Sequence, residues 1–187
     1  MSDVNKMKVF AICGSTRTNS ANLQLLHAIA NLAIDEMEME IYNDLAALPH
    51  FNPDLDKEGD TAPVTVQELR HKIKETDGVL ICTPEYVFSL PGSLKNLIEW
   101  MVSTTVFSEK PVALITASAS GVKAHADLQL IMKTIYADLH PQSQLLISGV
   151  RAKMNSNGEI IDEPTLQKAK ELVASFTKQM KKNIHEK

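Results

Sequence analysis

Five times along this chain a short strand-like run gives way to a longer stretch with helical spacing. The runs are Met7–Cys13, Glu38–Tyr42, Gly78–Thr83, Pro111–Ala117 and Gln144–Ser148. Several, such as GVLICT, are continuously apolar, which is how a strand buried on both faces reads. Glu38–Tyr42 alternates polar and apolar residues and reads as an edge strand. The helical stretches start near Ser20 (with Leu23, Leu26, Ile29, Ala30 and Ala33 on one side) and then cover Val64–Thr76, Leu94–Thr104, Val122–Leu139 and Glu163–Ile184. Asn43–Pro63, with Pro49, Pro53, Gly59 and Pro63, reads as a long loop of the kind that is usually functional or mobile. RAKMNSNGEIID reads as an excursion with a turn at Asn157-Gly158.

Parallel strands need crossover connections, so this alternation predicts an α/β fold with helices on both faces of a parallel sheet. Five strands at this spacing suit a flavodoxin-like, doubly wound five-stranded sheet of order 2-1-3-4-5, a single domain over residues 1–187. With 44% apolar and 22% charged residues, the chain can bury a core and is not disordered. Its net charge of −4 offers no basic field for a nucleic-acid partner. No apolar run approaches the roughly 20 residues that span a bilayer, so no membrane association is expected. The opening MSDVNKMKVFAICGS is too weakly basic and too briefly apolar for a secretion signal. Two cysteines cannot make a disulfide framework, and together these features predict a cytoplasmic protein.

In an open parallel sheet, ligands bind beyond the carboxyl ends of the strands where the strand order reverses. That directs attention to the loops Gly14–Asn22, Pro84–Ser89 and Ala117–Gly121. In the first, Gly14 permits a tight turn, Ser15, Thr16, Ser20 and Asn22 supply polar groups, and Arg17 supplies a planar fork for phosphate. The following helix start adds free N–H groups and a partial positive charge. The bland alternative is an ordinary N-cap at Ser20 or Asn19 with Arg17 in solvent. The loop lacks the P-loop lysine, which disfavours a nucleoside triphosphatase.

The second loop runs Thr83-Pro84-Glu85-Tyr86-Val87-Phe88-Ser89-Leu90-Pro91-Gly92 into a helix bearing Leu94-Lys95-Asn96 and Trp100. With Gly14-Ser15, Arg17, Ser20 and Asn22, the PEY, PG, LKN and Trp100 elements resemble the NADPH-dependent FMN reductase family of flavin, quinone, azo-dye and chromate reductases. The resemblance runs from Lys8 to about Tyr136. It implies bound FMN, with NADPH or NADH as hydride donor and a small-molecule acceptor: a quinone, azo compound, free flavin or metal oxyanion. Ser15, Arg17, Ser20, Ala21, Asn22 and Leu23 would hold the FMN phosphate through side chains and backbone N–H groups. Pro84, Glu85, Tyr86, Val87 and Phe88 would line the ribityl chain and ring, and Ser118, Ala119, Ser120 and Gly121 would meet the ring's polar edge. Where the family usually has Asn after PEY this chain has Val87, and Phe88 adds an aromatic beside the acceptor site.

No catalytic side chain is expected, because the cofactor carries the chemistry, donor and acceptor reacting in turn by a ping-pong scheme. Glu85 is read as a loop organiser, Cys13 and Cys82 as buried reduced thiols, and none of the six histidines has metal-site spacing. Trp100 lies beside the apolar stripe of Leu94, Leu97, Ile98, Met101 and Val102, which reads as either flank packing or a subunit contact; the oligomers that the resemblance implies favour contact. The resemblance implies a homodimer or homotetramer, with contacts from Pro91–Phe107. The basic run Lys178–Asn183 is read as a solvated helix end. Two other readings share the fold: a flavodoxin-type one-electron carrier, and a non-catalytic FMN-binding module.

Overall fold

A computed structural model describes residues 6–57 and 61–185; the first five residues of the opening segment, and Gly59 of the long loop, lie outside that range. The strands are β1 (Met7–Cys13), β2 (Met37–Tyr42), β3 (Gly78–Thr83), β4 (Pro111–Ser118) and β5 (Asp138–Ser148). The helices are α1 (Ala21–Leu32), α2 (Val64–Glu75), α3 (Gly92–Met101), α4 (Val122–Thr134) and α5 (Glu163–His185). All strand pairs are parallel and the order is β2-β1-β3-β4-β5, as the alternation predicts.

Successive strand residues point to opposite faces, and the two faces make two cores. Val9, Ala11, Cys13, Leu80 and Cys82 pack with Leu25, Leu26 and Ile29 of α1 and with Leu172 and Phe176 of α5. Phe10, Ile12, Val79 and Ile81 pack on the other face with residues of α2, α3 and α4. Burying each of the Val, Leu, Ile and Phe side chains among these is worth about 1.5–3 kcal/mol, so the two layers together fix the sheet. Their arrangement brings the starts of α1 and α5 to the same side of the sheet, which matters for the site below.

The structure corrects three expectations. First, the helix expected to reach Leu139 stops at Thr134, because Tyr136 takes a left-handed φ of +60° that no helix accommodates. Asp138 and Leu139 instead pair with Pro111 and Val112, so β5 begins six residues before Gln144. Its register shifts between Val112 and Leu114, a bulge on an edge strand that contains Pro141. Second, α3 spans Gly92–Met101 rather than Leu94–Thr104, with Pro91 as its N-cap residue. Third, Trp100 is wholly buried and cannot reach another subunit. The loop between β2 and α2 covers it: Trp100 Nε1 donates to Pro49 O at 2.8 Å, and the Phe51 ring meets the indole edge-on at 5.1 Å. Asn96 grips the same loop, accepting from Phe51 N and donating to Pro49 O. Arg70 of α2 completes the anchor, pairing with Asp56 at 2.8 Å and donating to Trp100 O. Phe107, also expected at a contact, is buried too.

Candidate cofactor site

The sheet's carboxyl edge opens into a cleft of about 700 Å³. Ser15, Arg17, Asn19, Ser20, Ala21 and Asn22 form one wall, and Pro84, Tyr86, Ala117, Ser118 and Ala119 line the rest with Gly149–Ala152. The first loop begins where β1 and β3 almost touch. A Cβ on Gly14 would lie 2.5 Å from Thr83 Oγ1, so only glycine allows this approach. Gly14 N then donates to Cys82 O at 2.7 Å, ending the β1–β3 ladder and turning the chain out of the sheet.

Ser20 caps α1: its side chain accepts from Leu23 N at 3.1 Å and its carbonyl from Gln24 N. Leu23 N–H is therefore already satisfied and is not free to meet a ligand. The N–H groups of Ala21 and Asn22 have no acceptor among the described residues, and both residues line the cleft together with Arg17. No acidic residue occupies the first turn of α1 to compete for them. The cap and the anion cradle thus coexist, because a helix start has more orphan donors than one serine can take.

Asn22 is buried and fastens three elements together. Its Nδ2 donates to Ala117 O of β4 at 3.2 Å, and its Oδ1 accepts from Cys82 Sγ of β3 at 3.3 Å. Cys13 Sγ reaches Ser15 O and Ser20 Oγ at 3.6 and 3.9 Å. Burial pushes both thiols up, Cys82 the more strongly, so they stay protonated and serve as donors under the loop.

The second loop is a tight hairpin turn. Tyr86 N donates to Ser89 O at 2.8 Å and Ser89 N returns to Tyr86 O at 3.0 Å. Between them Val87 (φ +51°) and Phe88 (φ +59°) both take left-handed backbone, and their side chains are 94% and 77% exposed. Neither lines the cleft; they form the tip beyond Tyr86. Glu85 points the other way and caps α4, its Oε1 accepting from Gly121 N and its Oε2 from Lys123 N and Ala124 N. These bonds, Ala124 N–H foremost, hold its carboxyl below the ordinary glutamate range. Ser89 Oγ bonds Asp127 Oδ2 at 2.6 Å, a further tie between this loop and α4.

Of the third loop, Ser118 and Ala119 line the cleft. Ser120 and Gly121 are not among its lining residues, and Gly121 is the left-handed cap residue of α4. Beneath them Thr116 Oγ1 meets His125 Nδ1 at 2.9 Å, and burial lowers the His125 pKa. Among the described residues, no group of three His, Cys, Asp or Glu is placed to hold a metal ion.

The chain end of β5 is the part that sequence reasoning missed. Gly149, Val150, Arg151 and Ala152 line the cleft. Gly149 N donates to Ala119 O at 3.1 Å and Ser148 Oγ to Ser120 O at 2.6 Å, which draws this turn against the third loop. The signal is the Gly-x-Arg after the fifth strand run, on the same sheet edge as the other three loops.

The donors present suit a flavin mononucleotide: open N–H groups and an arginine at one end, small and backbone-rich loops at the other, and carboxylates turned away. Comparisons with known proteins agree. The family model for NADPH-dependent FMN reductase matches residues 7–151. The chain is 34% identical over 178 residues to an NAD(P)H:quinone oxidoreductase from Solanum tuberosum, covering 91% of each. It is 33% identical over 165 residues to a 2-hydroxy-1,4-benzoquinone reductase from Burkholderia, covering 85% of this chain and 88% of that one. Among solved structures it is similar to a flavoenzyme NAD(P)H:(acceptor) oxidoreductase from Paracoccus denitrificans, with a TM-score of 0.77, 26% identity and coverage of 95% and 98%.

Proposed function

Because the chain belongs to the NADPH-dependent FMN reductase family, an NAD(P)H-dependent oxidoreductase family with FMN as cofactor, we propose that this cleft holds FMN and serves a small acceptor by a ping-pong scheme. The observation that carries the reading is the pair of unpaired N–H groups at Ala21 and Asn22, residues that line the cleft with Arg17. The chain works as one flavodoxin-like domain over residues 1–187.

Ser15, Arg17 and Ser20, with the Ala21 and Asn22 N–H groups, hold the phosphate. Asn22 contributes its backbone, its side chain being committed to Cys82 and Ala117. Pro84 and Tyr86, which line the cleft, would flank the ring, and Ser118 and Ala119 would meet its polar edge. The chemistry that bound FMN would supply is two-electron transfer between a nicotinamide and the acceptor. The protein's work is to fix the ring's position and to offer backbone donors where negative charge develops. Glu85 serves this indirectly, holding the second loop to α4. Val87 and Phe88 present an apolar lip beyond Tyr86, which suits a planar apolar acceptor such as a quinone better than an oxyanion. Assembly as a homodimer or homotetramer uses exposed parts of the Pro91–Phe107 segment, such as Val102.

Purified protein should carry FMN, oxidise NADPH or NADH with a quinone, and give parallel double-reciprocal lines. Intersecting lines would remove the shared-site scheme, and protein that does not bind FMN would remove the cofactor assignment.

A further inference from the structure

We propose that Arg151, delivered by the end of β5, is a second guanidinium for the phosphate held at the start of α1. The inference rests on the FMN reading above and names a residue that reading does not use. Arg17 and Arg151 are the formal charges in the cleft wall, which contains no Asp, Glu or Lys. Neither side chain has a hydrogen-bond or ion-pair partner among the described residues. In a chain with 23 carboxylates and a net charge of −4, two unpaired arginines on one acid-free wall are a local reversal of charge.

The fold explains why both line one cleft. The helices α1 and α5 cover the same face of the sheet, so the connection leaving β5 arrives beside the start of α1. That connection is held in place. Gly149 turns with φ +68°, its N–H is bonded to Ala119 O, and the next residue, Val150, is buried in the core. Arg151 follows an anchored residue while its own side chain stays exposed to the cleft. A phosphate monoester carries about −1.5 to −2 charges near neutral pH. Arg17 supplies one positive charge, and Arg151 supplies the second, each able to present a two-pronged donor to phosphate oxygens.

The test compares FMN with riboflavin, which lacks the phosphate. Flavin-stripped wild type, Arg17→Gln and Arg151→Gln are titrated with each, following flavin fluorescence. The expected result is a loss of FMN affinity of about ten- to a hundredfold in Arg151→Gln, with riboflavin affinity unchanged. Arg151→Lys should lose less, keeping charge but not the fork, and carries the same comparison should the Gln variant fold poorly. If Arg17→Gln lowers the FMN preference and neither Arg151 variant does, the proposal is overturned while the FMN reading stands. A change confined to NADPH over NADH also overturns it, placing Arg151 at the donor instead. Wild type that binds neither flavin overturns both.

Discussion

Val87 and Phe88 occupy the two central positions of a tight turn at φ +51° and +59°. That conformation suits Asn-Gly and penalises a β-branched side chain through its Cβ. Each such residue costs about 1–3 kcal/mol, and neither recovers the cost by packing, since both side chains are exposed. Replacing Val87 by Asn, which tolerates left-handed backbone, should therefore raise stability by about 1 kcal/mol in urea unfolding. An unchanged midpoint would mean that the turn relaxes without cost. The same variant should weaken quinone turnover if the apolar lip is what the acceptor meets. Greater stability with poorer turnover would show strain kept for function. The sequence discloses the departure from Asn at this position but not the strain, which follows from backbone geometry that no residue count reveals.

Among the elements, α4 depends most on a partner from elsewhere. Its cap residue is a glycine with no side chain, and Glu85 supplies the missing acceptor from the second loop. Glu85→Ala should cost about 0.5–2 kcal/mol, the range for losing a helix cap, measured by thermal unfolding. The pH dependence has a definite sign. Glu85 has a lowered folded pKa, so the unfolded chain binds its proton first. The contribution is complete above the ordinary glutamate range and is lost as pH falls from there through the lowered folded value. Wild type and Glu85→Ala should thus converge in stability below that window and differ above it. The loop between β2 and α2 is a second case of support from a distant element. Trp100→Phe removes the indole donor to Pro49 and should cost about 1–2 kcal/mol, with faster proteolysis of the loop before any change in the sheet. Most elements were legible because period and burial agree: β1, β3 and β4 are mainly apolar and lie between two helical layers. The α4–β5 boundary was not, because Ile135 and Leu139 continue a helical spacing across Tyr136, and Pro141 hides the strand. Trp100 was misread for a related reason: helical spacing marks the face packed on the sheet, not a face covered by a loop. The polar make-up of the first loop was legible in its residue types, whereas the commitment of the Leu23 N–H to the Ser20 cap was not, because it depends on the cap geometry.

At the scale of the molecule, the distribution of charge is the feature that a binding measurement can reach. The chain carries −4, yet its cleft has two arginines, the start of a helix and no carboxylate. Clefts of one sign concentrate a ligand of the other, and salt weakens the effect. A ligand that binds only the folded state stabilises it by about 2.7 kcal/mol at a hundredfold over its Kd. For a chain of this length that is a rise in Tm of about 5–10 °C. FMN should give this rise at low ionic strength, and the rise should shrink as the Debye length falls from about 30 Å at 0.01 M salt to about 3 Å at 1 M. Riboflavin, which engages the ring loops but not the arginines, should give a smaller rise that salt leaves nearly unchanged. Equal salt dependence for the two flavins would mean that the charge of the cleft does not act on the phosphate, and that the ring loops alone account for binding.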